Sequence, residues 1–160
     1  MKLLEFHQKL LKAFQENSVL YLIVGGYAVN IHGYIRATND LDLWIDIEQN
    51  NLQRIVDAFI SMGYNETDSK NAINAVLSNK NISLYDEENN KIDIMQLYST
   101  MLSFSEAYSR KYEFSMDDLK IQVIGYHDLI DTKIKAGRGK DWEDVRQLQV
   151  INDLRKRNEK

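Results

Sequence analysis

The chain has no cysteine among its 160 residues, which excludes disulfide bonds and thiolate metal sites. Long apolar runs are also missing: the longest, such as Val19–Val24, are far too short to cross a bilayer. The first residues contain no uninterrupted apolar core of the kind that a secretory signal needs. These absences lead us to expect a cytoplasmic protein that does not interact with a membrane.

An excess of positive charge is absent as well. The net charge of −4 argues against non-specific binding of nucleic acid by the whole surface. Basic residues do cluster over 133–140 and 155–160, and either cluster could bind an anionic ligand locally. For the second cluster a solvated helix end is the simpler interpretation, because its cations would lie near the negative pole of the helix dipole.

Length and hydrophobic spacing predict the fold class. With 160 residues, of which 44% are apolar, the chain can bury one hydrophobic core. Periodicity predicts helices over 2–16, 25–32, 51–62, 100–112, 127–136 and 142–154, and strands over 19–24, 41–47, 81–85, 91–97 and 119–124. Segment 72–77 is ambiguous between helix and strand. We therefore expect a single α+β (α/β) domain over 1–160, with a mixed sheet flanked by helices, a core over about 20–125 and a C-terminal helical pair over about 127–156.

Two aspartates stand two positions apart in the most regular of these strands. Asp40 and Asp42 alternate with apolar neighbours, so both carboxylates project from one face, about 6–7 Å apart. Their mutual repulsion falls when a divalent cation lies between them. A strand with a solvent-facing polar side would explain the same pattern. Asp46 shares their parity but lies about 13 Å beyond Asp42, too far to bind the same ion.

A double glycine precedes this strand, directly after the strand over 19–24. Gly25 and Gly26 begin a helix, so their N–H groups and the helix dipole could face an anion. A β-carbon would keep a triphosphate away from the backbone, which is a reason for glycine here. A tight turn is the plainer explanation, but the combination with Asp40 and Asp42 favours phosphate and magnesium chemistry.

A third carboxylate lies in the strand over 91–97. Asp93 stands between two isoleucines, so its side chain should face opposite to theirs, at the open face of the sheet. Three carboxylates can bridge two metal ions about 3.5–4 Å apart, and the third can instead accept a proton from an attacking hydroxyl. A solvated strand position is the alternative.

The combination of Gly25-Gly26, Asp40-x-Asp42 and Asp93 resembles the nucleotidyltransferase superfamily that includes DNA polymerase β. It is more similar to small bacterial nucleotidyltransferase-like proteins, some from toxin–antitoxin systems, whose motif Arg-x-Thr-x-Asp-x-Asp occurs here over 36–42. Those proteins often end with Leu-Ile-x-x-Lys, then Arg-x-Lys-Asp and a further Asp, as this chain does over 129–133 and 138–144. The resemblance covers about residues 20–150 and implies a nucleotidyltransferase-like fold.

The resemblance also implies a metal site. Asp40 and Asp42 would bind magnesium, or manganese in its place, and Asp93 would complete the site as ligand or base. The substrate would be a nucleoside triphosphate.

Nucleotide-binding roles follow from the resemblance for Gly25 and Gly26, which would approach the triphosphate. Arg36 and Thr38 would flank it, although both could equally be loop residues ahead of a strand. Lys133 lies on one helix face with two apolar residues, so its ammonium could reach a phosphate; a snorkelling surface lysine is the alternative.

Other residues suggest structural roles. Asp141 is expected to be a helix N-cap, with Asp144 three residues later as in a capping box. Trp44 and Trp142 fit the core or a base-stacking surface rather than a catalytic role, and of these we expect the core. The three histidines lack metal-ligand spacing.

These residues together predict transfer of a nucleoside monophosphate from a nucleoside triphosphate to an acceptor, with release of pyrophosphate. Antibiotic-modifying members of the superfamily usually carry an added helical domain, for which this chain has little room, so RNA or protein is favoured over a small-molecule acceptor. The alternative is a non-catalytic nucleotide-binding or partner-binding module of a toxin–antitoxin-type system, with a small helical partner protein. No histidine cluster or nucleophile elbow supports a phosphohydrolase.

Overall fold

The computed structural model describes residues 3–96, 98–99 and 101–158. Within these ranges the chain forms seven helices and six strands. The helices are α1 Glu5–Glu16, α2 Gly25–Ile31, α3 Gln49–Ser61, α4 Glu66–Leu77, α5 Phe104–Ser109, α6 Tyr126–Ala136 and α7 Gly139–Asn158. The strands are β1 Tyr21–Val24, β2 Leu41–Ile45, β3 Ile82–Tyr85, β4 Lys91–Met95, β5 Tyr112–Met116 and β6 Leu119–Val123.

The strands form one mixed sheet in the order β3-β4-β2-β1-β6-β5. Strand β1 pairs antiparallel with β2 and parallel with β6, whereas β2 pairs parallel with β4. The outer strands β3 and β5 pair antiparallel with β4 and β6. This topology, with helices packed around the sheet, confirms the predicted fold class.

The two central strands are covered on both faces. Every residue of β1 is buried, and β2 is buried except at Asp42, which is half-buried. Strands covered on both faces are near-continuous apolar runs, which is why β1 was predictable from its composition. Helix α1 adds Leu10, Leu11 and Phe14 to the same core.

One edge of the sheet collects the ends of the central strands. Strand β1 ends at Val24, opposite Asp42 at the beginning of β2, and α2 begins at the next residue, Gly25. Because β6 runs parallel to β1, with Ile23 beside Val123, β6 ends at this edge too. The glycine and aspartate motifs therefore meet here.

The side chain of Asn51 links the central strands at their opposite ends. Its side-chain oxygen accepts the N–H of Leu20 at 2.7 Å, and its amide donates to the carbonyls of Leu20 at 3.0 Å and Asp46 at 2.8 Å. The side chain belongs to α3, and Asn51 is 2% exposed. These bonds hold the start of β1, the end of β2 and α3 together.

The region between β4 and β6 departs from the prediction. The predicted helix over 100–112 is shorter, because α5 spans only Phe104–Ser109; position 100 lies outside the described residues. The prediction missed β5, although Tyr112, Phe114 and Met116 alternate with polar residues. Strand β5 lies at the edge of the sheet and pairs with β6, so its conformation depends on a tertiary partner.

Three further predictions have a structural outcome. The ambiguous segment 72–77 belongs to α4, whose start is capped by Asn65 Oδ1 accepting the N–H of Asp68 at 2.7 Å. Trp44 is buried as expected, but the core prediction for Trp142 is wrong, since Trp142 is 52% exposed. Positions 2 and 97, at the ends of a predicted helix and a predicted strand, lie outside the described residues.

Replacing Asn51 with alanine should lower the free energy of unfolding by about 2–4 kcal/mol, because buried backbone groups lose their partners. The control is Asn50→Ala, on the exposed side of the same helix, which should change it by less than about 0.5 kcal/mol. Urea unfolding followed by circular dichroism measures both. Equal losses in the two variants would contradict the role given to Asn51.

Candidate active site

The pairing of β2 brings the predicted carboxylates together. Asp42 lies directly opposite Asp93 of the parallel strand β4. Adjacent strands are about 4.8 Å apart, so the two side chains start from neighbouring backbone positions. Asp93 is half-buried between two fully buried isoleucines, and Asp40 is exposed just before β2. The structure thus places all three carboxylates at the same end of the central strands, where β1 finishes and β2 begins.

These carboxylates repel one another. Burial, followed by the charges of Asp93 and Asp40, raises the pKa of Asp42 to about 6. Lys91 and Lys133 act in the opposite direction without cancelling the shift. At neutral pH an ionised Asp42 therefore carries unbalanced negative charge, which a divalent cation would neutralise.

Asp93 has two partners that the sequence predictions did not include. Ser83, opposite it on β3, donates its hydroxyl hydrogen bond to Asp93 Oδ1 at 2.6 Å. The ammonium of Lys91 lies 2.6 Å from Asp93 Oδ2. Lys91 is two residues before Asp93 on β4, so strand parity could have identified it. The contact with Ser83 depends on the register between two strands.

Gly25 and Gly26 lie against other residues of the site. Gly25 has a φ of +63°, and a β-carbon there would collide with Asp42 Oδ2. A β-carbon on Gly26 would collide with Thr38 Oγ1 and lie 3.4 Å from Arg36 Nη1. Glycine is therefore needed at both positions to let Asp42 and Thr38 approach the backbone. Helix α2, with only seven residues, is too short for its dipole to be the main reason. Contact of the two glycines with a triphosphate stays a prediction.

Arg36 and Lys133 belong to a group of charges with a buried centre, which we call the Lys133 cluster. Arg36 donates two hydrogen bonds to the carboxylate of Asp144, at 2.6 and 2.9 Å. The ammonium of Lys133 lies 3.0 Å from Asp141 Oδ1 and 2.8 Å from Asp144 Oδ2. Arg138 completes the cluster, 2.6 Å from Asp141 Oδ2. The side chains of Lys133, Asp141 and Asp144 are 4%, 0% and 1% exposed.

Both aspartates of the cluster stay ionised. Although burial opposes it, hydrogen bonds from Arg138 and Lys133 hold the pKa of Asp141 below its ordinary value. Burial likewise opposes the lowered pKa of Asp144, which hydrogen bonds from Arg36 and Lys133 bring about. The cluster therefore balances its carboxylates with cations, unlike the site around Asp42.

Two sequence interpretations of this cluster are wrong. Asp141 is not an N-cap, because α7 begins at Gly139 and the Asp141 carboxylate binds Lys133 and Arg138 instead. Lys133 is not a snorkelling surface lysine, because its side chain is buried and paired. Contact of Arg36, Thr38 and Lys133 with a nucleotide stays a prediction.

Tyr98 is a further residue beside the site. Burial raises the pKa of its hydroxyl, although a hydrogen bond from Thr132, the charge of Lys133 and the backbone of Gly25 act against the shift. The ring packs 5.8 Å from that of Trp44, between centroids. Tyr98 thus links the Asp42 site to α6. Tyr98 follows shortly after β4 ends at Met95 and lies outside any helix or strand, so no periodic pattern pointed to it.

The carboxylates around Asp42 form a donor set of the kind that magnesium requires. Within the described residues, no group of three His, Asp or Glu side chains already forms a metal-binding arrangement. Magnesium in phosphoryl-transfer sites takes one or two carboxylates together with substrate phosphates and water. The in-register pair Asp42 and Asp93, with Asp40 two residues away from Asp42, fits that requirement.

Asp42→Asn should raise the free energy of unfolding by about 1–3 kcal/mol at pH 7.5, because it removes a charge that the folded state disfavours. The pKa of Asp42 rises on folding from 3.8 to about 6, so its stabilising contribution is full below pH 3.8 and is lost as the pH rises through 6. The difference between wild type and variant should therefore nearly vanish at about pH 4. Thermal unfolding at both pH values measures it, with Asp46→Asn as control.

Magnesium provides a second arm for this experiment. It should stabilise the wild type at pH 7.5 and leave Asp42→Asn unchanged, since an ion that binds the folded state alone shifts the unfolding equilibrium. Equal pH profiles of Asp42→Asn and Asp46→Asn would contradict the electrostatic account.

Lys133→Met should lower the free energy of unfolding by about 3–5 kcal/mol, because the buried carboxylates of Asp141 and Asp144 would each lose one of two cationic partners. Lys140→Met, exposed in the first turn of α7, is the matched control and should have an effect below about 0.5 kcal/mol. Denaturant unfolding measures both variants, and a loss of similar size in the control would contradict the prediction.

Several solved structures share this fold, among them the following two. TM1012 of Thermotoga maritima, assigned as a nucleotidyltransferase, has a TM-score of 0.56 and 15% identity, over 91% of this chain and 90% of that chain. The antibiotic-resistance factor ANT(2'')-Ia has a TM-score of 0.51 and 14% identity, over 94% of this chain and 90% of that chain. At such identities the likeness shows the fold, and it confirms the nucleotidyltransferase-like architecture that the motifs predicted.

Sequence comparison identifies the family. No protein of curated function matches the sequence. Among the helices of the described ranges, none combines the length and the apolar character needed to span a membrane. Residues 1–156 match the family described as "Nucleotidyltransferase of unknown function (DUF6036)". Because this match covers nearly the whole chain and agrees with both fold and motifs, the protein belongs to that nucleotidyltransferase family.

Proposed function

We propose that this protein transfers a nucleoside monophosphate from a nucleoside triphosphate to an acceptor, using magnesium, or manganese in its place. The observation that carries the proposal is the register pair Asp42–Asp93, with the pKa of Asp42 raised to about 6 by burial and by its acidic neighbours. Strong pKa perturbation in a cluster of like charges is typical of functional sites rather than of solvated strands.

Asp40, Asp42 and Asp93 are the proposed metal ligands. When bound, the metal would neutralise the negative charge that develops on the phosphates during transfer. Asp42 is half-buried and packed on Gly25, so its carboxylate is fixed in place. Asp40 is exposed and could adjust as substrate binds.

In the proposed reaction an acceptor oxygen attacks the α-phosphorus, its bond to phosphorus forms, and the bond from phosphorus to the bridging oxygen of the β-phosphate breaks. Pyrophosphate leaves with that electron pair. Asp93 would take the proton of the acceptor hydroxyl or serve as a ligand. Ser83 and Lys91 orient its two oxygens, and Lys91 would have to release Oδ2 first.

Gly25, Gly26, Arg36, Thr38 and Lys133 are the proposed nucleotide-binding residues. Arg36 is held by Asp144, and its Nη1 donates to the carbonyl of Ala37 at 3.0 Å. It would therefore act in large part by positioning the segment that carries Thr38. Lys133 would supply positive charge next to the triphosphate while remaining paired.

Chain size does not decide the acceptor. A small-molecule acceptor was disfavoured because antibiotic-modifying relatives usually carry an added domain, but the alignment with ANT(2'')-Ia covers 90% of that chain. The preference for RNA or protein as the acceptor therefore rests on the surface of this protein and not on its length.

A second candidate function is a non-catalytic module that binds a nucleotide or a partner protein, such as a small helical protein of a toxin–antitoxin pair. One observation favours it: both oxygens of Asp93 are already occupied, by Ser83 and by Lys91. Such a site is partly neutralised without metal.

Wild-type protein incubated with each α-³²P-labelled nucleoside triphosphate, magnesium and a cell extract should transfer label to a macromolecule. Asp42→Ala should reduce the rate at least about 100-fold, because it removes a charge-stabilising group from the reacting centre. Asp46→Ala, at the other end of β2, is the control and should stay within about twofold of wild type. Gel separation before and after ribonuclease treatment measures transfer and identifies the acceptor class.

The same samples distinguish the two functions. If calorimetry shows nucleotide binding and no label is transferred, the result would support the binding module instead of the enzyme. Transfer that survives Asp42→Ala would place the chemistry elsewhere and overturn the proposed site.

A further inference from the structure

A cavity lies at the end of α2 that is remote from Gly25. It has a volume of about 460 Å³, and the ends of α2 and α7 and the starts of β5 and α6 surround it. It contains none of the proposed metal ligands. Its walls include His32, Arg110, Lys111, Tyr112, Tyr126 and Arg155.

Two cations of this cavity are available to a ligand. Among the ion pairs within residues 3–96, 98–99 and 101–158, none involves Lys111 or Arg155. Lys111 Nζ lies 4.1 Å over the ring of Tyr108, which restricts its position. Arg155 lies across Gly33, where a β-carbon would be only 2.6 Å from Nη2. Both charges are thus placed by packing rather than by a carboxylate.

The described residues that line the cavity include three cations, Arg110, Lys111 and Arg155, and no acid. Asp128 binds Arg110 through two hydrogen bonds, at 3.0 and 3.1 Å, so this pair is neutral overall. Three further acids lie nearby, Glu106, Glu113 and Asp153, whose charges act on Arg110, Tyr108 and Tyr126. The last turn of α7 adds further basic residues beside Arg155.

An aromatic surface accompanies these cations. Tyr112 is 47% exposed, and its ring centroid lies 5.6 Å from that of His32. His32 lies 6.0 Å from Tyr126 and donates its Nε2 hydrogen to the carbonyl of Ile124 at 2.8 Å. The His32 ring is therefore fixed, and it supports one face of Tyr112 while part of that ring stays open to solvent.

We infer that this cavity binds single-stranded RNA, with Lys111 and Arg155 on backbone phosphates and a base stacked on Tyr112. Positive charge combined with exposed aromatic rings is the arrangement that single-stranded nucleic acid requires. An acidic protein segment would use the cations but would leave the open face of Tyr112 unused. The inference rests on the proposed function, in which this RNA is the acceptor.

The position of the cavity suits an acceptor. Helix α2 has seven residues and spans about 10 Å between Gly25 and the cavity. Strands β1 and β6 are parallel neighbours that end at the same sheet edge, so Gly125 at the cavity and Gly25 at the carboxylates follow adjacent strands. An RNA strand held in the cavity could therefore extend its terminus to Asp42.

The test uses fluorescence anisotropy of a 5′-fluorescein-labelled, mixed-sequence RNA of about 12 nucleotides, titrated with the full chain at several salt concentrations. The double variant Lys111→Gln/Arg155→Gln should bind about tenfold more weakly at low salt and should reduce the slope of log K against log[salt] by about 1.4. Lys12→Gln/Lys80→Gln removes the same charge from exposed positions elsewhere and should bind like wild type. Tyr112→Leu should weaken binding about tenfold without changing the slope.

The outcomes separate this inference from the proposed transfer. Absence of RNA binding by wild type, or equal binding by wild type and the Lys111/Arg155 variant, would overturn the inference. Label transfer to a protein instead of RNA would also overturn the inference that RNA is the acceptor, while leaving the proposed nucleotidyl transfer intact. RNA binding that depends on Lys111, Arg155 and Tyr112 would support the cavity even if no transfer occurs. Unfolding temperatures of all variants show whether a loss of binding reflects a loss of fold.

Discussion

The buried pairing of Lys133 with two aspartates of α7 is the interaction on which the arrangement of the site depends. Removing a charge from water costs several kcal/mol per ion, and only close, hydrogen-bonded partners offset that cost. The Lys133 cluster meets this condition, with contacts of 2.8 and 3.0 Å. Arg36 extends it to the segment before β2 through Asp144. The two C-terminal helices thereby hold the segment carrying Thr38 against Gly26.

The protein treats its two groups of charges in opposite ways. In the Lys133 cluster each carboxylate has cationic partners, and the pKa values of Asp141 and Asp144 are lowered despite burial. Around Asp42 burial and like charges raise the pKa to about 6, and the neighbouring cation Lys91 binds Asp93. The balanced group stabilises the fold, whereas the unbalanced group is suited to receive a cation together with phosphates.

Much of the fold was predictable because its central elements carry strong local patterns. Strand β1 is a continuous apolar run and Asp40 and Asp42 alternate with apolar residues, so both elements were identified within a few residues. Strand β5 was missed because an edge strand depends on pairing with β6. The roles of Asp141 and Lys133 could not be found from spacing, because a capping pattern and a buried ion pair use the same residue types.

The sequence by itself determined the family, the glycine and aspartate motifs and the class of fold, because these depend on residues that are close along the chain. Only the tertiary structure decided which groups meet. Arg36 and Asp144 are 108 residues apart in sequence, and their contact requires α6 and α7 to pack beside α2. Asp93 faces Asp42 because β4 pairs parallel with β2 in one particular register. Strand register and helix packing are set by burial over the whole molecule, which local periodicity does not encode.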